Sequence, residues 1–216
     1  MESSLHRQLK AWYAGPGDQL EARVGPYRVD VLSGDRVVEI QQAGLGALKA
    51  KVRSLLKTHA VTVVKPISRL KQIVTCTASG RILRRRRSPK RGSILELFHD
   101  LVHFIEVFPH PRLVLEVAVV DIEEWRQPTR RRWPRPYRVT DRRLHEVHAR
   151  RTLKRPADLL QLLPRQLPPT FDTKLLAQHL DIPRWHAQQI AYCLRHAQAV
   201  HTIGRTRRGN HYAVRT

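Results

Sequence analysis

The chain has 216 residues, with 40 Lys and Arg against 18 Asp and Glu, a formal net charge of +22. Hydrophobic residues make up 41%, enough for real cores, so wholesale disorder is excluded. No apolar run approaches the ~18 residues of a membrane-spanning helix, the N-terminus lacks the apolar stretch of a secretory signal, and two isolated cysteines, Cys76 and Cys193, fit a reducing, cytoplasmic setting and cannot build a Cys-based zinc site. The charge speaks about partners rather than fold, and a polyanion is the first candidate.

In chain order, Leu5, Leu9, Trp12 and Tyr13 predict an amphipathic helix over residues 2–14, ended by Gly15-Pro16-Gly17-Asp18. Three short strand-like runs follow, 19–24, 27–32 and 37–41. They are separated by Gly25-Pro26 and Ser33-Gly34-Asp35 and predict an antiparallel meander. Leu45, Leu48, Val52, Leu55 and Leu56 predict a helix near 45–58 that carries Lys49, Arg53 and Lys57 at spacing four. Val61 to Ile67 reads as a buried strand, 71–77 with 81–86 as a hairpin, 93–108 as a second amphipathic helix and 113–122 as another strand. The order α-β-β-β-α-β, with further strands and a helix, predicts an α/β fold with a mixed sheet flanked by helices.

The charge is uneven. Residues 81–91 hold seven basic side chains and no acidic one; 92–127 hold two basic and seven acidic; 128–155 hold eleven basic and two acidic. Arg85, Arg86 and Lys90 in the first basic run, and the Pro- and aromatic-containing run from Arg130, are candidates for phosphate contact and base stacking. Residues 126–156 read as a basic connection or insertion, within which 138–151 can hold two more strands. Beyond it, 157–163, 173–180 and 183–197 read as helices, with Thr173 as an N-cap, followed by a ribbon over 200–214. His99 and His103 stand at helical metal-binding spacing but lack a third ligand, and are read as surface histidines. No phosphate-binding loop and no nucleophile elbow is present.

The meander carries the candidate chemistry. Asp30 points opposite Tyr27, Val29 and Val31 in the alternation of its strand, while Glu39, sharing a face with Gln41, interrupts an apolar strand. A hairpin can set Asp30 beside Glu39, where two carboxylates repel unless a hard cation such as Mg²⁺ lies between them. Plain solvent-facing carboxylates on an edge hairpin are the competing reading.

The leading helix with Glu2 near its start, Asp30, Glu39-Ile40-Gln41 and the basic helix that follows together resemble the catalytic half of the PD-(D/E)xK, or restriction-endonuclease-like, nucleases. The likeness covers 1–67 well and 68–125 loosely. It implies Asp30 and Glu39 as metal ligands, Glu2 as a further one, and a Mg²⁺ or Mn²⁺ cofactor. Gln41 stands where that family usually has Lys, and Lys65 or Lys49 would then carry the migrated charge. Residues 157–216 resemble a winged helix-turn-helix domain. That likeness implies DNA contact through Arg184, Gln188, Gln189 and Arg195 of the third helix and through Arg205, Arg207 and Arg208 of the wing.

The expectation is therefore a nuclease domain at 1–125, a connection at 126–156 and a winged helix at 157–216. The chain would act as a metal-dependent DNA endonuclease, with RNA as the other polyanion, no membrane partner and a homodimer left open. The alternatives are a non-catalytic DNA-binding protein with a relic nuclease domain, or a protein-interaction adaptor.

Overall fold

A computed structural model describes residues 2–129, 136–164, 166–207 and 209–215. Helix α1 (Ser4–Tyr13) is capped by Ser3, whose hydroxyl accepts the His6 N–H, and it buries Leu5 and Leu9. Strands β1 (Gln19–Val24), β2 (Tyr27–Ser33) and β3 (Arg36–Ile40) form the expected antiparallel meander. Both of its turns place a glycine in the left-handed region, Gly25 at φ 55° and Gly34 at φ 58°, as two-residue hairpins require.

Helix α2 (Lys49–Leu55) follows a 3-10 turn at Leu45–Leu48 and leads into β4 (Ala60–Cys76). The lower half of β4 runs parallel to β3, and its upper half pairs antiparallel with β5 (Ile82–Arg87). After α3 (Leu97–Leu101), strand β6 (Leu113–Pro128) runs parallel to β4 along nearly its whole length, and β7 (Tyr137–Leu153) returns antiparallel to β6. The result is a mixed seven-stranded sheet of order β1-β2-β3-β4-β6-β7, with β5 on the upper half of β4.

Alternation along the strands sorts side chains to two cores. Val37, Val63, Leu115 and Val117 meet Val52 and Leu55 of α2 and Phe98 and Leu101 of α3. Val38, Val64 and Ala118, each next to a residue of the first set, meet Leu5 and Leu9 of α1 on the other face together with Val120. Each fully buried Leu or Phe contributes roughly 1.5–3 kcal/mol.

Three expectations need correction here. Ala60–Cys76 is one strand rather than a strand and half a hairpin. The break read at Ser68–Leu70 is a β-bulge, and Asp121 of β6 holds it closed by accepting from the Leu70 N–H (3.2 Å) and from Arg69 (2.9 Å). The helix expected at 93–108 is only a 3-10 turn and the five residues of α3, followed by turns. The stretch 126–156 is mostly strand: β6 continues to Pro128 and β7 occupies Tyr137–Leu153, so no long connection separates the two halves of the chain. Arg130, Arg131, Arg132, Trp133, Pro134 and Arg135 lie outside the described residues.

After a 3-10 segment at Pro156–Leu162 come β8 (Thr170–Phe171), α4 (Thr173–Leu180), α5 (Arg184–His196), β9 (Val200–Thr206) and β10 (Gly209–Val214). The three strands form a sheet of order β8-β10-β9. The N-cap of α4 is Asp172 rather than Thr173, its carboxylate accepting from the Lys174 and Leu175 N–H groups at 2.9 and 2.7 Å. This unit shares the first core: Leu159, Leu176, Ile190 and Leu194 pack in one cluster with Phe98 and Leu101. The Nε2 of His186 meets the Leu95 carbonyl at 3.0 Å, and Cys193 Sγ lies 3.9 Å from the Phe98 carbonyl.

Burial pushes the Cys193 thiol up to about 12, and Cys76 is buried as well. Both thiols are therefore expected to resist a maleimide in the folded chain. Labelling of Cys193 should report release of α5 from α3. Rapid labelling of Cys193 without denaturant would show that this contact is not formed in solution.

Candidate functional site

The meander has a fault at Asp30. Strand β1 pairs with β2 at Leu20–Val31 and at Ala22–Val29, but not at Glu21–Asp30, and the β2–β3 ladder begins only at Val31–Val38. Glu21 sits at φ 56°, a left-handed conformation that is costly for a non-glycine residue. The strand rolls over here, so that Val29 joins the α2-side core while Val31 joins the α1-side core. In the resulting seam the Asp30 carboxylate takes the place of a ladder acceptor: Oδ2 accepts the Ile40 N–H at 2.7 Å.

Four carboxylates and four basic groups gather around this seam. His6 of α1 brings Nε2 to 3.0 Å from Asp30 Oδ1 and to 4.0 Å from Glu2. Lys10, only 4% exposed, lies between Glu2 (2.5 Å) and Glu21, and Arg28 reaches Glu21 at 2.5 Å. On the α2 side, Lys51 places its ammonium 2.6 Å from Oε1 of Glu39 and also donates to the Arg28 carbonyl. Glu39 is 4% exposed, and its Oε1 receives no well-aligned hydrogen bond despite the ion pair.

The two central carboxylates are driven apart in acidity. Burial pushes Asp30 up, but the His6 ring, the Ile40 amide and Lys10 together outweigh it and hold the group below the usual carboxylate range. Burial also pushes Glu39 up, and there it prevails over Lys51, helped by the negative charge of Asp30. Such a split is expected of neighbouring carboxylates in unequal surroundings.

Other expected members of the site lie elsewhere. The Gln41 side chain donates to the Gly44 carbonyl at 2.9 Å, pinning the turn after β3. Lys65 holds the same turn. It donates to the Ala43 and Gln42 carbonyls at 2.7 and 3.2 Å and pairs with Asp100 at 2.7 Å, so it does not serve as the cation at Glu39. Lys49 and Arg53 are drawn to Glu106. The cation that reaches the carboxylates is Lys51. Helical spacing does not single it out: Lys51 stands three residues after Leu48 and four before Leu55, and Lys49 stands four after Leu45 and three before Val52.

Among the nucleic-acid candidates, Arg85 is paired with Glu123 at 2.5 Å, while Arg86 and Lys90 are exposed. Arg184, Gln188 and Arg195 are exposed on α5 and line a cavity of about 300 Å³ facing the β9–β10 hairpin. Gln189 does not join them, because its Oε1 is 2.6 Å from Nδ1 of His99. His99 is not a plain surface histidine: its ring stacks on His186 and Trp185, with centroids 4.2 and 5.1 Å away. Arg205 and Arg207 are exposed on the hairpin, and Arg208 lies outside the described residues.

No group of three or more His, Cys, Asp or Glu arranged to hold a metal is found among the described residues. Asp30 and Glu39 are nevertheless a pair of hard oxygen donors, one of whose oxygens is buried without a hydrogen bond. Mg²⁺ is commonly held by one or two carboxylates while keeping several waters, so the donor chemistry suits it.

The stability of the chain should register the split. The folded chain holds the Glu39 proton above that group's ordinary 4.5, so this contribution is lost as pH rises through the raised value. The contribution of Asp30 runs the other way and is lost only as pH falls through its lowered value. Glu39→Gln is therefore expected to flatten the decline of unfolding free energy as pH rises from the ordinary 4.5 through the raised value, measured by urea titration. Parallel wild-type and variant profiles would show that Glu39 is not perturbed.

Comparison with known proteins adds three findings. The sequence family described as "Domain of unknown function (DUF8091)" matches residues 3–154. An uncharacterized protein of Treponema pallidum (strain Nichols) is 33% identical over 181 residues, covering 82% of this chain and 72% of that protein. That span is longer than residues 3–154 and therefore reaches into the carboxy-terminal unit. No solved structure matches the chain.

Proposed function

The chain belongs to the DUF8091 family, a membership that leaves its chemistry to be read from its own side chains, and we propose that it is a metal-dependent endonuclease acting on DNA. The observation that carries this reading is the pairing of Asp30 with Glu39 across the β2–β3 seam, with Lys51 against Glu39. The order α1-β1-β2-β3-α2-β4, with β4 parallel to β3, supports a restriction-endonuclease-like core. The arrangement of α4, α5 and a β8-β10-β9 sheet supports a winged-helix-like carboxy-terminal unit. Two buried, unpaired thiols suit a reducing, cytoplasmic setting, and among the described residues no helix is long and apolar enough to cross a membrane.

Asp30 and Glu39 would hold Mg²⁺ or Mn²⁺, with Glu2 near His6 as the third carboxylate of the seam. The bound ion would lower the pKa of a water and neutralise phosphate charge. In the chain itself, His6 and Lys51 now neutralise these two carboxylates, and a cation taking their place would release them. Lys51, held between Glu39 and the Arg28 carbonyl, would then turn its charge toward the phosphate, the role for which Gln41 has no cation. The raised pKa of Glu39 makes metal binding proton-releasing wherever that carboxyl still holds its proton.

One observation favours a second reading, a DNA-binding protein whose nuclease site is a relic: each carboxylate of the seam already has a basic partner from the chain. Cleavage decides between the two. Wild-type protein with Mg²⁺ is expected to cut plasmid DNA. Asp30→Asn, Glu39→Gln and Lys51→Met should each lower the rate about a hundredfold or more, with binding in EDTA kept, whereas Lys49→Met should cut normally. No cutting by the wild type, or undiminished cutting by Asp30→Asn or Glu39→Gln, would remove the nuclease reading. Cutting of RNA in preference to DNA would change the substrate.

The hairpin arginines offer a separate check. If Arg205 and Arg207 touch phosphate, neutralising both should weaken binding to all sequences. It should also flatten the log–log salt dependence by roughly one unit for each lost contact. Coincident slopes for wild type and variant would leave the carboxy-terminal unit as a protein-docking module.

A further inference from the structure

The exposed face of α5 carries a stripe of Arg184, Gln188, Tyr192 and Arg195, which is helical spacing on one side of the axis. With Thr173 of α4 and Asn210 and Tyr212 of β10, this stripe walls the cavity of about 300 Å³. The lining is unusual for a phosphate-only surface. It sets the exposed Tyr192, with the buried Tyr212 in the wall, beside three neutral side chains that both donate and accept, Gln188, Asn210 and Thr173, and places an arginine toward each end of the stripe. The Tyr192 ring is 37% exposed and is braced by His196, with centroids 4.1 Å apart. Trp185 of the same helix is 55% exposed and rests on His99 and His186.

We propose that this cavity receives an unpaired nucleobase, so that the carboxy-terminal unit binds DNA at single-stranded or bulged positions rather than by laying α5 into an intact major groove. The inference rests on the reading that the chain engages DNA, but not on cleavage.

Three features favour an unpaired base over a duplex edge. Reading a major groove needs side chains on a convex ridge, whereas Gln188 and Asn210 are walls of a concavity, and Gln189 is occupied by His99. Exposed aromatic rings find their partner in the π-face of an unstacked base, which a closed duplex does not offer. The volume stands at the lower end of the ~300–1,000 Å³ typical of ligand sites, suited to one ring system. Arg184 and Arg195 would meet the phosphates on either side of the inserted base, giving affinity without sequence information. Gln188 and Asn210, each with a donor and an acceptor, would contact the base edge.

The test is fluorescence anisotropy in EDTA, where the carboxylate seam plays no part. The probes are a labelled thymidine oligonucleotide, a blunt duplex of the same length and that duplex with a single unpaired thymidine. Wild-type protein is expected to bind the single strand and the bulged duplex about tenfold more tightly than the blunt duplex, the scale of one stacked base. Tyr192→Ala should erase that preference while changing blunt-duplex affinity less than twofold, and Tyr192→Phe should restore it. Gln188→Ala, at an exposed position, should weaken binding of the bulged duplex alone. Equal affinity of the wild type for all three probes, absence of binding to any, or equal losses on all probes in Tyr192→Ala would overturn the proposal. Failure of the nuclease reading would appear instead as tight, selective binding without cleavage on addition of Mg²⁺.

Discussion

The pairing of β4 with β6 runs from Val61–Leu113 to Thr75–Arg126, and every other element takes its position from it. Parallel neighbours need crossover connections, and the connection between these two carries α3, which covers the α2 side of the sheet. The lower half of β4 accepts β3 and with it the whole meander; the upper half accepts β5 on the same edge. A strand this long must accommodate twist, and the bulge at Ser68–Leu70 does so, with Asp121 supplying the acceptor that the ladder lacks. The seam at Asp30 is a second solution to the same problem, since there also a carboxylate receives an N–H that the partner strand leaves unmatched.

The acidic segment 92–127 explains how a chain of net charge +22 can fold without ruinous self-repulsion. Most of its carboxylates meet partners within the fold: Asp100 meets Lys65, Glu106 meets Lys49 and Arg53, Glu116 meets Tyr13 and Arg150, Asp121 meets Arg69, and Glu123 meets Arg85. Glu124, buried, meets Lys71, Arg126 and Arg142. Despite the upward push of burial, those cations hold its carboxyl at about 2. The negative charge is thus used internally, which leaves Arg86, Lys90, Arg184, Arg195, Arg205 and Arg207 exposed on a positive surface.

What the sequence revealed divides by the range of the interactions involved. The meander was legible because its turns are local: a glycine two residues from each strand end dictates the hairpin whatever lies around it. The bulge in β4 read as a strand end because its partner, Asp121, lies far along the chain. Strand β7 was legible only as short runs within 138–151, because it is an edge strand with one fully buried side chain and its many arginines suggested a linker. At the seam, Asp30 and Glu39 could be found from strand period, but the choice of Lys51 over Lys49 and Lys65 depends on where Asp100 and Glu106 lie, far along the chain. The engagement of Gln189 by His99 joins residues ninety positions apart and has no trace in local pattern.

The shared core has a consequence for any chain that both grips and cuts. Leu159, Leu176, Ile190 and Leu194 pack in one cluster with Phe98 and Leu101, and His186 and Gln189 fasten α5 to the segment around α3. Among the described residues, α5 and the strands that carry Asp30 and Glu39 contribute to one core cluster. Under the proposed reading, the α5 cavity and the seam would then keep a set spacing. A backbone anchored at the first would present the same phosphodiester to the second on every encounter, and position along the strand, rather than base sequence, would set the point of scission.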